Sequence, residues 1–138
     1  MSTTNVTNNR PMTAPMTTTY LRSSSQAREV TRGFLASLTS PPTPETTDTA
    51  LLVVSELVTN AIKHAGGITE FRLDASAHIL NITVGDPSSA LPQERTPDLS
   101  GHGEGGGFGW PLIRRLTSEL SIDLGSRHTK RIRAAVPM

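Results

Sequence analysis

The strongest hydrophobic pattern in the chain lies between Thr49 and Ala65, where apolar residues recur at spacings of three and four. This spacing places them on one stripe of an α-helix and predicts that the stripe is buried. The predicted buried residues are Leu51, Val54, Leu57, Val58, Ala61 and Ile62. Gly66 and Gly67 are expected to end this helix. Thr43, before Pro44, or Thr46 and Thr47, after it, are the candidate N-caps.

A second helical pattern precedes this one, with apolar residues at Ala27, Val30, Phe34, Leu35 and Leu38. Serines 23–25 supply N-cap candidates, and Pro41-Pro42 are predicted to stop the helix. Upstream, residues 17–22 are rich in β-branched residues and predict a first, edge strand. Residues 1–16 are mostly Thr, Asn, Ser, Pro and Met, a composition typical of a flexible tail.

The downstream half alternates between apolar and polar positions, which predicts strands. Residues 68–74 and 79–85 form an antiparallel hairpin through the short connection 76–78, and residues 119–124 and 131–136 form two more strands. A third helix is predicted over Trp110–Thr117, opened by Pro111. Helices on one face of a mixed, largely antiparallel sheet give an α+β two-layer sandwich, formed by residues 17–138 as one domain.

Composition narrows the classes of function. The 138 residues include no cysteine, which excludes disulfides, thiolate metal sites and cysteine nucleophiles. The net charge of +1 implies no broad attraction to nucleic acid. No apolar run approaches the ~20 residues that a membrane crossing needs, and the N-terminus lacks a secretion signal. A cytoplasmic protein without membrane association is therefore expected.

The central helix also carries polar residues that its buried stripe does not require. Glu56, Asn60 and His64 follow one another at i, i+4 spacing, so a carboxylate, an amide and an imidazole share one edge of the helix, which Lys63 extends. These residues could simply form a solvated face, with Lys63 and His64 complementing the helix dipole. They could instead form one wall of a ligand site.

Two later features favour a ligand site. The glycine-rich segment 101–116 could let the backbone approach a phosphate at a helix N-terminus, although it could also be a plain linker. It is neither a Walker A loop nor a dinucleotide fingerprint. Asp86, directly after a strand, could cap a turn with Pro87 or accept a hydrogen bond from an exocyclic amine such as that of adenine.

The order of these motifs resembles the N, G1 and G2 boxes of the GHKL (Bergerat) ATP-binding fold. The matching segments are ELVTNAIKHA, VGDPSS and, within the glycine-rich stretch, GxGxxxGFGWPLI. Histidine-kinase catalytic domains, gyrase and MutL-type ATPases share that fold. The first segment is most similar to that of small anti-sigma-factor serine kinases of the RsbW and SpoIIAB type. The resemblance spans roughly Tyr20 to Val136.

The resemblance implies a role for each matching residue, with ATP and Mg²⁺ as the cofactors. Asn60 would bind the Mg²⁺, Glu56 would act as the general base or orient the nucleophile, Lys63 would contact phosphate, and Asp86 would bind the adenine amine. For His64 a structural role is preferred to a catalytic one. The glycines of the ATP lid and its hinge would be Gly103, Gly105, Gly107 and Gly109.

The chain departs from the family pattern in three places. Pro87-Ser88-Ser89 replace an expected glycine after Asp86, and Trp110-Pro111 follow the glycines of the third box. Before the last strand, residues 128–131 offer a threonine and a lysine without an adjacent glycine, so they are left out of the predicted site.

By this resemblance, the protein is expected to be an ATP-dependent serine/threonine kinase that phosphorylates a small antagonist protein and sequesters a sigma factor. The alternative is a nucleotide-gated protein-binding module without phosphotransfer. A detached histidine-kinase catalytic domain fits less well, because no upstream dimerisation segment with an acceptor histidine is present. Members of the resembling family often form homodimers through sheet or helix surfaces.

Overall fold

Five strands and three helices make up the part of the chain that the computed structural model describes, which is residues 15–19, 21–76, 78–91, 106–125 and 129–138. In chain order they are β1 (Met16–Thr18), α1 (Ser24–Ala36), α2 (Pro44–His64), β2 (Glu70–Ser76), β3 (Ile79–Asp86), α3 (Gly106–Leu116), β4 (Glu119–Leu124) and β5 (Lys130–Pro137). The strands form one sheet in the order β1-β2-β3-β5-β4. The α+β fold is as predicted, but every described strand pair is antiparallel rather than mixed.

The two faces of the sheet differ in polarity because side chains alternate along each strand. One face joins the helices in a single hydrophobic core, to which the strands contribute Phe71, Leu73, Ala75, Leu80, Ile82, Val84, Ile132, Ala134 and Val136. The other face carries polar residues such as Arg72, Asp74 and Arg133, which line a hollow of about 280 Å³ formed by sheet residues alone. The described helices therefore cover one face of the sheet.

The ends of α2 follow the predicted capping chemistry. The Thr43 side chain accepts a hydrogen bond from the Thr46 amide at 3.2 Å, and Pro44 occupies the first helical position. At the other end Gly66 and Gly67 adopt positive φ angles of 85° and 127°, and the Gly67 amide donates to the Ala61 carbonyl at 3.0 Å. Thr43 is thus the N-cap among the three candidates.

The buried face of α2 confirms the predicted stripe with one exception. Leu51, Val54, Leu57, Val58 and Ala61 are buried, and the helix contacts α1, α3, β3 and β5. Ile62 is 39% exposed, so its predicted burial is wrong. It lies about 100° around the helix from Ala61, outside the arc that faces the core. Ala50 and Val53 are buried as well.

Helix α1 begins as predicted but ends early. The Ser23 hydroxyl caps it by accepting from the Gln26 amide at 3.1 Å. The helix ends at Ala36 rather than at Pro41-Pro42, because Ser37 closes it with hydrogen bonds to Gly33 and Phe34. Arg28 Nη1 donates to the Ser55 hydroxyl at 3.0 Å, which joins α1 to α2.

Several predicted strand bounds shift by a few residues. β1 spans Met16–Thr18 and is shorter than the predicted strand over 17–22. Its pairing with β2 ends where Thr18 meets Phe71. β2 begins at Glu70, two residues after the predicted start, and the hairpin to β3 is confirmed. β3 extends to Asp86 and β5 begins at Lys130, which makes these two residues the last register pair between the strands. Residues 1–14, the bulk of the predicted tail, lie outside the described residues.

The start of α3 differs most from prediction. The helix begins at Gly106, four residues before the predicted Trp110, and Pro111 lies inside it. Trp110 and Ile113 are buried and anchor α3 in the core, and this packing maintains the helix despite the hydrogen bond that a proline removes. None of the helices in the described ranges combines the length and apolar character needed to cross a membrane.

Candidate functional site

Glu56 and Asn60 lie one turn apart on α2, are half-buried, and face the same residue of α3. A Cβ atom placed on Gly109 would lie 2.5 Å from Glu56 Oε2 and 3.8 Å from Asn60 Oδ1. The carboxylate and amide oxygens therefore converge on one point of the α3 backbone. Glycine at position 109 leaves the space that the Glu56 carboxylate occupies.

This pair of oxygens fits a magnesium ion that is shared with a polyphosphate. Mg²⁺ binds hard oxygen ligands and is usually held by one or two protein side chains together with phosphates and water. Within the described ranges, no group of three His, Cys, Asp or Glu side chains could hold a metal ion by itself. Asn60, with Glu56 beside it, would hold such an ion only together with the oxygens of a ligand.

Lys63 and His64 form the last turn of α2, and both are exposed. Basic side chains there interact favourably with the partial negative charge of the helix C-terminus. The structure thus gives both residues a helix-stabilising position. The phosphate contact expected of Lys63 stays a prediction.

Asp86 is the last residue of β3 and is 1% exposed. Lys130 Nζ lies 2.9 Å from each of its two carboxylate oxygens, and Oδ1 also accepts the Ser88 amide hydrogen bond at 2.9 Å. Asp86 therefore caps the following turn and forms an ion pair with Lys130 at the same time. Lys130, 4% exposed, is a residue that the sequence prediction left out of the site. Its only sequence signal was a lysine just before the last strand.

The end of β3 lies close to the end of α2. A Cβ atom on Gly66 would be 3.6 Å from Pro87 Cγ, so the residue after Asp86 packs against the glycine turn that closes α2. Asn60 precedes Gly66 by about two helical turns. One helix therefore links the oxygen pair at Gly109 with the end of the sheet that carries the Asp86–Lys130 pair.

The predicted lid glycines divide into two groups. Gly107 and Gly109 lie in the N-terminal part of α3, and Gly109 faces the oxygen pair, which a Cβ atom at this position would contact. Gly103 and Gly105 lie outside the described residues. The structure thus brings together Glu56, Asn60 and Gly109, and separately Asp86 and Lys130.

A two-layer α+β domain with these features belongs to the GHKL class of nucleotide-binding folds. The sequence profile of the histidine kinase-like ATPase domain matches residues 18–135, nearly the whole chain, and the chain belongs to this family. The family implies ATP as the nucleotide. A comparison with curated protein sequences gives no match.

Proposed function

We propose that this ATP-binding domain is a regulatory serine/threonine kinase that phosphorylates a small antagonist protein and sequesters a sigma factor. The observation that supports a catalytic function is the convergence of Glu56 Oε2 and Asn60 Oδ1 on Gly109. A carboxylate beside a cation ligand is what a phosphoryl transfer site needs.

Each residue of the site has a distinct role in this proposal. Glu56 accepts the proton of the attacking serine or threonine hydroxyl or orients that hydroxyl, since a half-buried carboxylate can serve as a general base. Asn60 holds Mg²⁺ through its amide oxygen, and Lys63 contacts phosphate. Bound Mg-ATP would supply the γ-phosphoryl group, which would pass to the hydroxyl oxygen as its bond to the β–γ bridging oxygen breaks and ADP leaves. The Mg²⁺ would neutralise the charge of the phosphates.

The first test is calorimetric titration of Mg-ATP into the wild-type protein and into Asn60→Ala. We expect the variant to bind Mg-ATP roughly 10- to 100-fold more weakly. Loss of a residue that only supports a metal ligand has an effect of this size, and loss of a ligand itself should have at least the same effect. Asn81→Ala is the matched control, because Asn81 lies on the polar face of the sheet. Equal Mg²⁺-dependent affinity in Asn60→Ala and the wild type would remove Asn60 from the site.

The second test measures transfer of labelled γ-phosphate to candidate antagonist proteins. Glu56→Gln should lower the rate by about 10²- to 10⁴-fold without abolishing ATP binding, because a positioned acid–base group contributes that much. Glu45→Gln, an exposed glutamate in the first turn of the same helix, is the control. Transfer that is insensitive to Glu56→Gln argues against its role as a base.

The same two measurements distinguish the alternative function. ATP binding without transfer to any candidate, combined with a nucleotide-dependent change in the affinity for a partner protein, identifies a nucleotide-gated binding module. The sigma-factor interaction is tested by titrating sigma factors into the protein with and without ATP. The homodimer expected from the resemblance is tested by sedimentation equilibrium of the same samples.

A further inference from the structure

We propose that Lys130 is a base-recognition residue, which donates a hydrogen bond to the adenine ring nitrogen N1 while Asp86 accepts one from the neighbouring amino group. The pair would select adenine by presenting a donor and an acceptor side by side. This inference rests on the proposed function, since it concerns the same nucleotide site. Its supporting observation is the buried ion pair between the two residues.

The pair is held in place from several directions. Asp86 and Lys130 are register partners at the end of the β3–β5 ladder, so their backbones are fixed by the sheet. The ammonium group lies 2.9 Å from both carboxylate oxygens, and the two side chains are 2% and 4% exposed. Separating such a buried pair leaves an uncompensated charge, which is strongly unfavourable. A base is therefore expected to bind beside the intact pair.

The hydrogen-bonding capacity of the pair is not fully used by the described residues. A carboxylate has about four acceptor sites, and three contacts are present, from Lys130 to each oxygen and from the Ser88 amide to Oδ1. An ammonium group has three donors, and two of them meet Asp86. The third meets the Ser88 carbonyl only at 3.5 Å, the limit of a hydrogen bond. One acceptor site on Oδ2 remains, and the donor that makes this long contact with the Ser88 carbonyl is the one that a base could redirect to itself.

The unused acceptor site on Oδ2 and the weakly bound donor on Nζ match the edge of adenine. Adenine places a donor, its 6-amino group, next to an acceptor, N1, so Asp86 and Lys130 can bind both at once. Guanine places an acceptor at position 6 and a donor at N1, the opposite order. A site that satisfies a ligand's polar groups rejects analogues that lack them. Nucleotide affinity should thus depend on N1 through the hydrogen bond that Lys130 donates to it.

The test compares ATP with 1-deaza-ATP, which keeps the amino group but replaces N1 by C–H. We expect the wild type to bind 1-deaza-ATP roughly 10- to 100-fold more weakly than ATP, the effect of losing one charged hydrogen bond. Lys130→Met, which keeps the apolar length and removes the donor, should bind the two nucleotides with equal affinity. Arg131→Met is the matched control, because Arg131 is the next residue of β5, is exposed, and pairs with Glu70 instead. It should discriminate like the wild type.

A second variant allows for misfolding of Lys130→Met, which leaves Asp86 unpaired. Asp86→Asn combined with Lys130→Met removes both buried charges and keeps an oxygen that can accept the amino group. It too should bind ATP and 1-deaza-ATP equally, with circular dichroism reporting the fold.

Three outcomes would contradict the inference in distinguishable ways. Equal binding of both nucleotides by the wild type overturns the role of Lys130 and leaves the proposed function intact. Tighter ATP binding by a folded Lys130→Met protein would show that the ammonium group competes with the base, which also overturns it. Absence of ATP binding by the wild type overturns the proposed function and this inference together.

Discussion

Gly109 is the residue on which the geometry of the oxygen pair depends. The Glu56 carboxylate lies in the space that a side chain at position 109 would fill, while Asn60 Oδ1 lies somewhat farther away. Because the carboxylate is the far end of a flexible side chain, it can move away from an added methyl group. A substitution at this glycine should therefore change the position of Glu56 before it changes the fold.

We predict that Gly109→Ala separates function from stability. Alanine is favoured over glycine inside a helix by up to about 1 kcal/mol, so the free energy of unfolding should stay equal or rise. Displacement of the Glu56 carboxylate should lower phosphoryl transfer by about 10²-fold, the low end for a positioned acid–base group. Urea unfolding and the transfer assay measure the two effects.

Gly33→Ala is the control for that substitution. Gly33 lies in α1, and a Cβ atom there meets nothing within 4 Å, so it should gain the same helix stability and leave transfer unchanged. If Gly109→Ala transferred phosphate as fast as Gly33→Ala, the contact with Glu56 would have no catalytic meaning.

The Asp86–Lys130 pair makes a separate prediction about stability. Lys130→Ala removes one partner of a buried pair and should lower the free energy of unfolding by about 3–5 kcal/mol. Asp86→Asn combined with Lys130→Met should recover most of that loss, because no buried charge is left unpaired. Urea denaturation of the three proteins tests this. Equal losses in both variants would mean that the unpaired charge of Asp86 is not the cause of the loss.

At the scale of elements, α2 is the helix that organises the rest. Its N-cap, its glycine stop and most of its buried stripe could be predicted because capping and periodicity are local properties of the sequence. The start of α3 could not, since three of its first four residues are glycines, which disfavour helices, and the helix is anchored in the core farther along by Trp110 and Ile113. Lys130 was missed for a related reason: it meets Asp86 across 44 residues, a contact without a local pattern.

The assignment of the α2 N-cap is directly testable. Thr43→Ala removes the side-chain acceptor for the Thr46 amide and should cost about 1 kcal/mol of unfolding free energy. Thr47→Ala, which changes another of the candidate caps, should cost less than about 0.5 kcal/mol. Thermal or urea unfolding of the two variants compares them. A larger loss in Thr47→Ala would place the helix start one turn later.

At the scale of the whole molecule, one sheet with helices on a single face separates two kinds of surface. The core side contains both parts of the candidate site, the Glu56–Asn60 pair that faces α3 and the Asp86–Lys130 pair at the ends of β3 and β5. The polar side carries Arg72, Asp74 and Arg133 without a covering helix among the described elements. Binding of a nucleotide on the core side should therefore stabilise the domain as a unit.

We expect ATP with Mg²⁺, at a hundred times its dissociation constant, to add about 2.7 kcal/mol to the free energy of unfolding. For a domain of this size the melting temperature should rise by roughly 5–10 °C. At the same nucleotide concentration, Asn60→Ala should show a clearly smaller shift. Differential scanning calorimetry measures the shift in melting temperature. An unchanged wild-type melting temperature would contradict nucleotide binding to the folded domain.

The hydrogen bond from the Met138 amide to the His78 carbonyl has a practical consequence. It fixes Met138 beside the β2–β3 turn, at the end of the β3–β5 ladder where Ile79 pairs with Pro137. Asp86 pairs with Lys130 at the other end of the same ladder. The two ends are seven residue steps apart along β3, which is about 23 Å at the usual rise per residue of a strand. A fluorophore, surface tether or fused reporter attached after Met138 would thus project away from the nucleotide, which makes this the preferred point for immobilising the protein in binding measurements.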